Sequence, residues 1–203
     1  MAIKGLSIPV FGVYNNNDGT VTYANGLINP HAVSYTVSVE STEDNSLYGD
    51  NRIVENDRGR FNGGTLSLET DDLAQEVSKF LLGVKEVERT YGEKTVTSLV
   101  YDDDQESPTL GFGIIEEHQN DGVDQYKAVI LKKVTFSIPQ DSATTRGESV
   151  EWQTRTIEGV ISRSDEVSDT VKYPWKEEAW FTSESEALDF LKSMLSVMDK
   201  QEV

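Results

Sequence analysis

The feature that most limits the fold of this chain is a strict two-residue alternation of apolar and polar side chains. It is clearest in residues 31–40, where polar residues separate four apolar ones: Val33, Tyr35, Val37 and Val39. A period of two puts the apolar side chains on one face of a β-sheet. Residues 64–70 repeat the pattern with Leu66 and Leu68. The chain is therefore predicted to be mainly β.

A longer run, residues 126–138, carries one continuous apolar phase over its whole length. Val129 and Leu131 occupy the opposite phase, so the first half is expected to be covered on both faces. Four further strands are predicted, in residues 7–14, 21–24, 94–101 and 109–116.

Residues 148–161 show a third pattern, in which Glu151, Gln153 and Arg155 make one phase polar. The opposite phase holds β-branched and aromatic residues: Val150, Trp152, Thr154, Thr156 and Val160. Such a segment is typical of a strand with one wet face. We expect the β-branched and aromatic phase to be the buried one.

Two helices are predicted by apolar spacing of 3.6 residues. The first, residues 71–82, has Gly83 as its C-terminal stop and acids in its first turn. Its N-cap is expected at one of two residues, Thr70 or Asp71. The second, residues 183–198, begins with Ser183 and Glu186 in capping-box spacing and has a broad apolar stripe. That stripe must be buried against its own chain or a neighbour.

Charge limits the partners of the chain. The 203 residues contain 18 Lys and Arg against 36 Asp and Glu, a formal net charge of -18. Between Lys94 and Lys127 there is no basic residue but there are eight acids: Asp102, Asp103, Asp104, Glu106, Glu116, Glu117, Asp121 and Asp124. Such a surface repels phosphate, so a groove that grips DNA is not expected. An acidic loop region that aids solubility is the simplest interpretation of this stretch.

Signals of catalysis or of a cofactor are weak. The absence of cysteine excludes disulfides, cysteine zinc sites and a cysteine nucleophile. The zinc-helix, nucleophile-elbow and phosphate-loop motifs do not occur, and 116–118 is interpreted as a solvated turn rather than a metal site. We therefore expect no enzyme and no cofactor. No leader-like start or apolar run of 18 residues is present, which favours the cytoplasm over a membrane.

Residues 41–62 form a connection of 22 residues with weak periodicity, rich in Asn, Asp and Arg. Connections longer than about 12 to 15 residues are usually functional or mobile. Two interpretations stay open for it: an arm that contacts another molecule, and an Ω-loop folded onto its own domain.

Several stretches in a fixed order carry a family resemblance. They are residues 45–51 (NSLYGDN), 63–73 (GGTLSLETDDL), 81–83 (LLG), Pro108 with 111–113 (GFG), 126–136 (YKAVILKKVTF) and 145–154 (TRGESVEWQT). In order and spacing they resemble the major tail tube proteins of long, non-contractile tailed bacteriophages, in the subgroup common in phages of Gram-positive hosts. The resemblance covers residues 5–160 and weakens after Ile161.

The resemblance implies a split-barrel or β-sandwich subunit with a flanking α-helix, six of which form a ring, with rings stacked into a tube. The implied partners are other copies of the chain, a tape-measure protein in the lumen, and tail terminator and tail-tip proteins. DNA would pass through the lumen of the tube during ejection without binding to its wall. The implied location is the virion tail, assembled in the host cytoplasm. The alternative function is a monomeric β-sandwich that serves as a binding or adhesion module, which oligomeric state would distinguish.

On this basis we divide the chain into a tail-tube β domain, residues 1–161, and a C-terminal extension, residues 162–203. The helix of the extension could lie on the outer wall, join neighbouring subunits, or have no special function. Candidate contacts between subunits are Leu47, Tyr48, Asp50, Arg52, Ile53, Arg58, Arg60, Phe61 and Arg146. Candidate acidic residues of the lumen or of a loop are Asp102, Asp103, Asp104 and Glu106.

Overall fold

A computed structural model of the chain describes residues 2–145 and 152–198. The described elements, in chain order, are β1 (Ala2–Asn17), β2 (Thr20–Ile28), β3 (Ala32–Ser41), β4 (Asn45–Gly49), β5 (Arg52–Asp57), β6 (Phe61–Thr70), α1 (Gln75–Leu82), β7 (Lys85–Tyr91), β8 (Lys94–Val100), β9 (Thr109–Asn120), β10 (Val123–Phe136), β11 (Arg155–Ile161), β12 (Lys176–Phe181) and α2 (Glu184–Met194). The prediction of a mainly β fold with one flanking and one C-terminal helix is confirmed. Neither helix is long and apolar enough to span a membrane.

Eight strands form one antiparallel sheet, which splits at β10. The order β2-β1-β9-β10-β11-β6-β3 runs through the sheet, and β12 also pairs with β10. One edge of β10 pairs with β9 along its length. The other edge pairs with β12 over residues 126–131 and with β11 over residues 134–136. The sheet thus forks, and β3 at the end of one branch returns to lie near β1.

A β-bulge at Lys132 and Lys133 causes the fork. Leu131 pairs with Phe112 and Val134 pairs with Leu110, so β10 holds one extra residue there. The extra residue reverses the side-chain alternation, and Val134 therefore joins Leu131 on one face of the sheet. The predicted burial of the first half of this strand on both faces is confirmed, but the single continuous phase through residue 138 is wrong.

The first core lies inside the curled sheet and is closed at one end by α1. Phe11 contacts Phe112 and Phe136, with ring centroids 5.5 and 5.7 Å apart. From α1, Val77, Leu81 and Leu82 enter this core. Gly83 ends the helix in the left-handed conformation, as predicted.

The start of α1 differs from its prediction. The helix begins at Gln75 with Ala74 as its N-cap, and no side chain caps it. The side chains of Asp71 and Asp72 instead accept hydrogen bonds from the next backbone N–H, from Asp72 and Leu73. These local bonds compete with helical pairing, so the acids shape the turn before the helix.

The second core lies on the opposite face of the sheet, under α2. Ala187 and Leu191 of the helix are buried here, and so is its C-cap residue Leu195. They pack against Val10, Ile115, Ala128 and Ile130. The glycines of β9 make this close approach possible. A Cβ on Gly111 would lie 2.7 Å from a methyl carbon of Leu195, and one on Gly113 would lie 2.9 Å from Leu191. A larger residue at either position would therefore require neighbouring side chains, Tyr23 among them, to move.

The capping pattern predicts the start of α2 correctly, but the helix ends earlier than predicted. Ser183 is the N-cap, and its hydroxyl accepts a hydrogen bond from the backbone N–H of Glu186. The helix ends at Met194 rather than at residue 198, and Met198 is 79% exposed. With β12 in the main sheet and α2 over the second core, residues 176–195 pack on their own chain.

The alternation in β11 is opposite to its prediction. Ile157 and Ile161 are buried, whereas Thr156 and Val160 are exposed. The strand begins only at Arg155, so the residues before it, including a 92% exposed Trp152, do not belong to its alternation. Residues 146–151, which include part of the predicted strand, lie outside the described residues.

Two hairpins lie outside the main sheet. β4 and β5 pair with each other, as do β7 and β8. The connection of residues 41–62, for which no regular structure is predicted, is therefore largely the β4–β5 hairpin. Only the second strand of the β7–β8 hairpin is predicted by sequence, because β7 has hardly any apolar alternation.

The buried contacts of α2 predict the effect of shortening its core side chains. Leu191→Ala and Leu195→Ala should each lower the free energy of unfolding by about 2 to 5 kcal/mol, because each leaves a cavity in the second core. Denaturant unfolding of the purified variants measures this. Met198→Ala is the matched control, since the side chain is exposed, and should change stability by less than about 0.5 kcal/mol. Wild-type stability of both leucine variants would contradict the docked helix.

Candidate assembly surfaces

The β4–β5 hairpin, which we call the arm, is built around a tight two-residue turn. Asp50 and Asn51 both have positive φ, 48° and 60°, a conformation that Asp and Asn tolerate better than most residues. Tyr48 pairs with Ile53, and a bulge follows, so that Leu47 pairs with Glu55. The pairing is local, and none of the arm's described side chains is buried.

The arm continues the ribbon formed by β3 and β6. Ser41 still pairs with Phe61 at the end of the main sheet. Beyond this pair, the N–H of Thr42 donates to the carbonyl of Arg60 at 2.8 Å, and the N–H of Arg60 donates to the Thr42 hydroxyl at 2.9 Å. The Asp44 carboxylate accepts from the N–H of Gly59 at 2.5 Å. These bonds fix the base of the arm to the domain.

The arm carries apolar side chains that its own chain does not cover. Leu47 is 62% exposed and Tyr48 is 67% exposed, and Ile53 and Val54 are exposed to a similar degree. Arg52, Arg58 and Arg60 are also exposed, and Asp50 lies in the turn. Tyr48 and Ile53 are cross-strand partners and so share one face of the arm. Exposed apolar side chains grouped in this way are typical of an interaction site.

One of the candidate contact residues has other surroundings, and another is not described. The ring of Phe61 stacks on Trp175 with centroids 4.5 Å apart and contacts the first core, so Phe61 belongs to the domain rather than to the arm. Arg146 lies outside the described residues.

The candidate acidic residues lie in the turn between β8 and β9. Asp102 forms an ion pair with Lys85, with Nζ and Oδ2 2.5 Å apart. Asp103, Asp104 and Glu106 are exposed. Beside them, Gln105 anchors the turn by donating to the Leu82 carbonyl at the end of α1.

A flat polar surface covers the outer side of the branch formed by β3, β6 and β11, and we call it the hydroxyl face. Its outward residues are Ser34, Thr36 and Ser38 of β3, Thr65, Ser67 and Glu69 of β6, and Thr156, Glu158 and Val160 of β11. None of these residues is basic. Hydrogen bonds from Thr154 and Ser34 hold the pKa of Glu69 below its usual range, so this carboxylate stays charged.

A buried polar cluster lies at one end of the first core. The Glu116 carboxylate pairs with the ammonium of Lys127, accepts from the hydroxyl of Tyr35, and lies 2.8 Å from Nε2 of His118. Tyr35 is on β3, at one end of the strand order, and Glu116 is on β9, so this contact joins two strands that are not neighbours in the curled sheet. The indole of Trp180 lies edge-on to His118, with centroids 4.8 Å apart.

The cluster shifts two pKa values in opposite directions. Burial tends to raise the pKa of Glu116, but the hydrogen bonds from Lys127, Tyr35 and His118 outweigh it and hold that pKa below its usual range. Burial and the neighbouring carboxylate raise the pKa of the Tyr35 phenol. Glu116 is therefore a charged acceptor and Tyr35 a neutral donor at neutral pH.

This cluster corrects the interpretation of residues 116–118 as a solvated turn. Glu116 and His118 are buried on β9, and Glu117 on the opposite face pairs with Lys4. Within residues 2–145 and 152–198 no group of three ligand side chains is arranged to hold a metal ion. The Asn-Asp-Gly turn at 120–122 sets the register of the β9–β10 hairpin, and this register places Lys127 opposite Glu116. The turn sequence could therefore have identified the Glu116–Lys127 ion pair from the sequence alone.

No protein-family model and no curated protein matches this chain.

The buried ion pair predicts an acid-sensitive contribution to stability. Glu116→Gln should lower the free energy of unfolding by about 3 kcal/mol at pH 7, because Lys127 is left without its buried counter-charge. The pKa of Glu116 is lower in the folded state than its ordinary value of 4.5. The stability that the charged carboxylate contributes is therefore complete above pH 4.5 and is lost as the pH falls through the folded-state pKa.

Denaturant unfolding of the wild type and the variant from pH 7 to pH 3 measures this contribution. The difference between the two proteins should stay constant down to about pH 5 and then shrink. Glu117→Gln is the control, since Glu117 pairs with Lys4 in solvent, and it should cost less than about 1 kcal/mol. A difference that does not depend on pH would contradict the role of the Glu116 charge.

Proposed function

We propose that this chain is a structural, non-catalytic subunit that assembles with copies of itself into stacked rings, as a tube of the phage-tail type. The observation that carries the proposal is the arm. It projects an uncovered apolar patch and exposed arginines from a subunit whose net charge is -18. Interface cores are enriched in aromatic residues and Arg, and an acidic neighbour of the same kind would complement the arginines.

The hydroxyl face supports the second half of the proposal, a lumen that conducts DNA. Because α2 covers the face formed by β1, β9 and β10, the hydroxyl face is the broad sheet surface left open. Short hydroxyl side chains and carboxylates offer a phosphate backbone no cation to bind. The acidic turn at residues 102–106 adds negative charge. DNA would pass such a wall without adhering to it.

The proposed partners follow from this arrangement. Six copies close their sheets into a ring, with the hydroxyl faces inside and α2 outside. A tape-measure protein occupies the lumen before ejection, and terminator and tip proteins bind the two ends of the tube. The proposed location is a virion tail, assembled in the cytoplasm of the host.

Electron microscopy of the concentrated protein, with and without tail-tip components, tests the proposal. The wild type should form rings and tubes. A variant in which a short Gly/Ser linker replaces residues 43–60 should remain folded and monomeric, because Ser41 and Phe61 are already paired and the cores lie elsewhere. The triple variant Leu47→Ser, Tyr48→Ser, Ile53→Ser should also lose assembly while unfolding as the wild type does.

Val171→Ser is the matched control, since Val171 is exposed outside the arm, and it should assemble normally. A wild type that remains monomeric under all these conditions would contradict the tube function and favour the monomeric binding module. If the linker variant forms normal tubes, the tube function stands and only the proposed role of the arm is contradicted.

The absence of cysteine allows a clean test of the lumen. A Ser67→Cys variant places one thiol at the centre of the hydroxyl face. In free subunits this thiol should react with both a small maleimide and a maleimide carried on a bulky polymer. In assembled tubes the small reagent should still react, whereas the bulky one should react at least about tenfold more slowly, because only a small molecule diffuses freely along a narrow channel. Equal reaction with the bulky reagent before and after assembly would contradict the lumen assignment.

A further inference from the structure

The β7–β8 hairpin has two faces of opposite chemistry. Its register pairs Arg89 with Val96 and Tyr91 with Lys94, so these four residues share one face, which we call the basic-aromatic face. The other face carries acids and hydroxyls: Glu86, Glu88, Thr90, Thr95 and Thr97. A strand pair sorts its side chains in this way because successive residues point to opposite sides.

The two faces have different surroundings. On the acidic side, Glu86 pairs with Lys79 of α1, and Leu99 contacts the first core. The acidic side therefore lies toward the domain at its base. On the basic-aromatic face, Tyr91 is 82% exposed and Val96 is also exposed. This face lies open to solvent at the tip of the hairpin.

The cations of this face differ from those of the domain. Lysines such as Lys4, Lys127, Lys132 and Lys133 all pair with carboxylates of their own chain. Within the part of the chain that the structure describes, Arg89 and Lys94 lie within ion-pair distance of no carboxylate. In a protein of net charge -18, two cations outside any such ion pair thus lie beside an exposed tyrosine, with the exposed Glu93 in the turn between the two strands.

A surface with the complementary composition lies at the β9–β10 turn. Asp121 is exposed in this turn, and Val123, which pairs with Asn120 across the turn, is an exposed apolar side chain. Ile3 of β1, which pairs with His118 of β9, is also exposed. Asp121 and Gly122 both have positive φ, so the turn is tight and presents its side chains in a fixed geometry.

We propose that the basic-aromatic face docks onto the β9–β10 turn of a second copy of this chain. Arg89 and Lys94 meet Asp121, and Tyr91 and Val96 cover Val123 and Ile3. The opposite charges of the two surfaces favour this pairing over contact between like surfaces. Because the two surfaces differ, the contact is heterologous and repeats from copy to copy, which generates a ring or a filament. The inference rests on the proposed function for its choice of partner.

Charge reversal tests the pairing. Arg89→Glu with Lys94→Glu should raise the protein concentration needed for assembly by about tenfold or more, because acidic surfaces then face each other. Adding Asp121→Lys to that variant should restore at least part of the loss. Lys172→Glu is the matched control, since Lys172 is also an exposed cation with no ion pair among the described residues, and it should assemble as the wild type does. Unchanged assembly of the double variant, or no recovery with Asp121→Lys, would overturn the inference.

Cross-linking separates this inference from the proposed function. In the cysteine-free chain, Tyr91→Cys with Val123→Cys should form disulfide-linked oligomers under mild oxidation, whereas Thr95→Cys with Val123→Cys should not, because Thr95 lies on the other hairpin face. If the protein forms cross-linked oligomers but never forms tubes, the docking of the hairpin onto the β9–β10 turn is supported and the proposed tube function is contradicted. Tubes without this cross-link would sustain the tube and overturn the docking.

Discussion

The bulge at Lys132 and Lys133 is the constraint on which the rest of the structure depends. By reversing the alternation of β10, it lets one strand pair with β12 in its first half and with β11 in its second. The two lysines also hold the C-terminal segment in position: Lys132 pairs with Glu177, and Lys133 lies 2.7 Å from Asp165. The fork that results gives β12 its place, and β12 leads directly into α2. The covered face and the hydroxyl face thus both follow from one extra residue.

Sequence reasoning worked where one periodicity was sufficient. The alternation in residues 31–40 and 64–70 marks β3 and β6, and the capping pattern at Ser183 marks the start of α2. Prediction from the sequence failed where pairing with a neighbouring strand decides which side chains face the core. The bulge in β10 is set by pairing with β9, and the arm has a bulge and an Asp-Asn turn that hide its alternation. The interpretation of residues 116–118 as a solvated turn is wrong because Lys127 and Tyr35 compensate the charge of Glu116 in the interior.

The charges of the subunit divide into two populations. Several cations of the domain pair with carboxylates of their own chain, either in solvent, as for Lys4, or inside the fold, as for Lys127. Cations of the two hairpins, such as Arg52 and Arg89, are left exposed together with apolar side chains. This division leaves the body uniformly acidic and concentrates attraction at projecting elements. Two copies would therefore repel each other in most orientations and attract in few, which favours ordered assembly over aggregation.

The position of α2 in the chain also determines when the fold can be completed during synthesis. The helix is made after every strand that it covers, and β1 must wait for its partner β9 about one hundred residues later. Until Leu191 and Leu195 have left the ribosome, the apolar face at Val10 and Ile130 has no cover within the chain. The second core is thus a late step with contacts of long sequence separation, which fold slowly. In a nascent chain this apolar face therefore stays uncovered by α2 until the helix has been made.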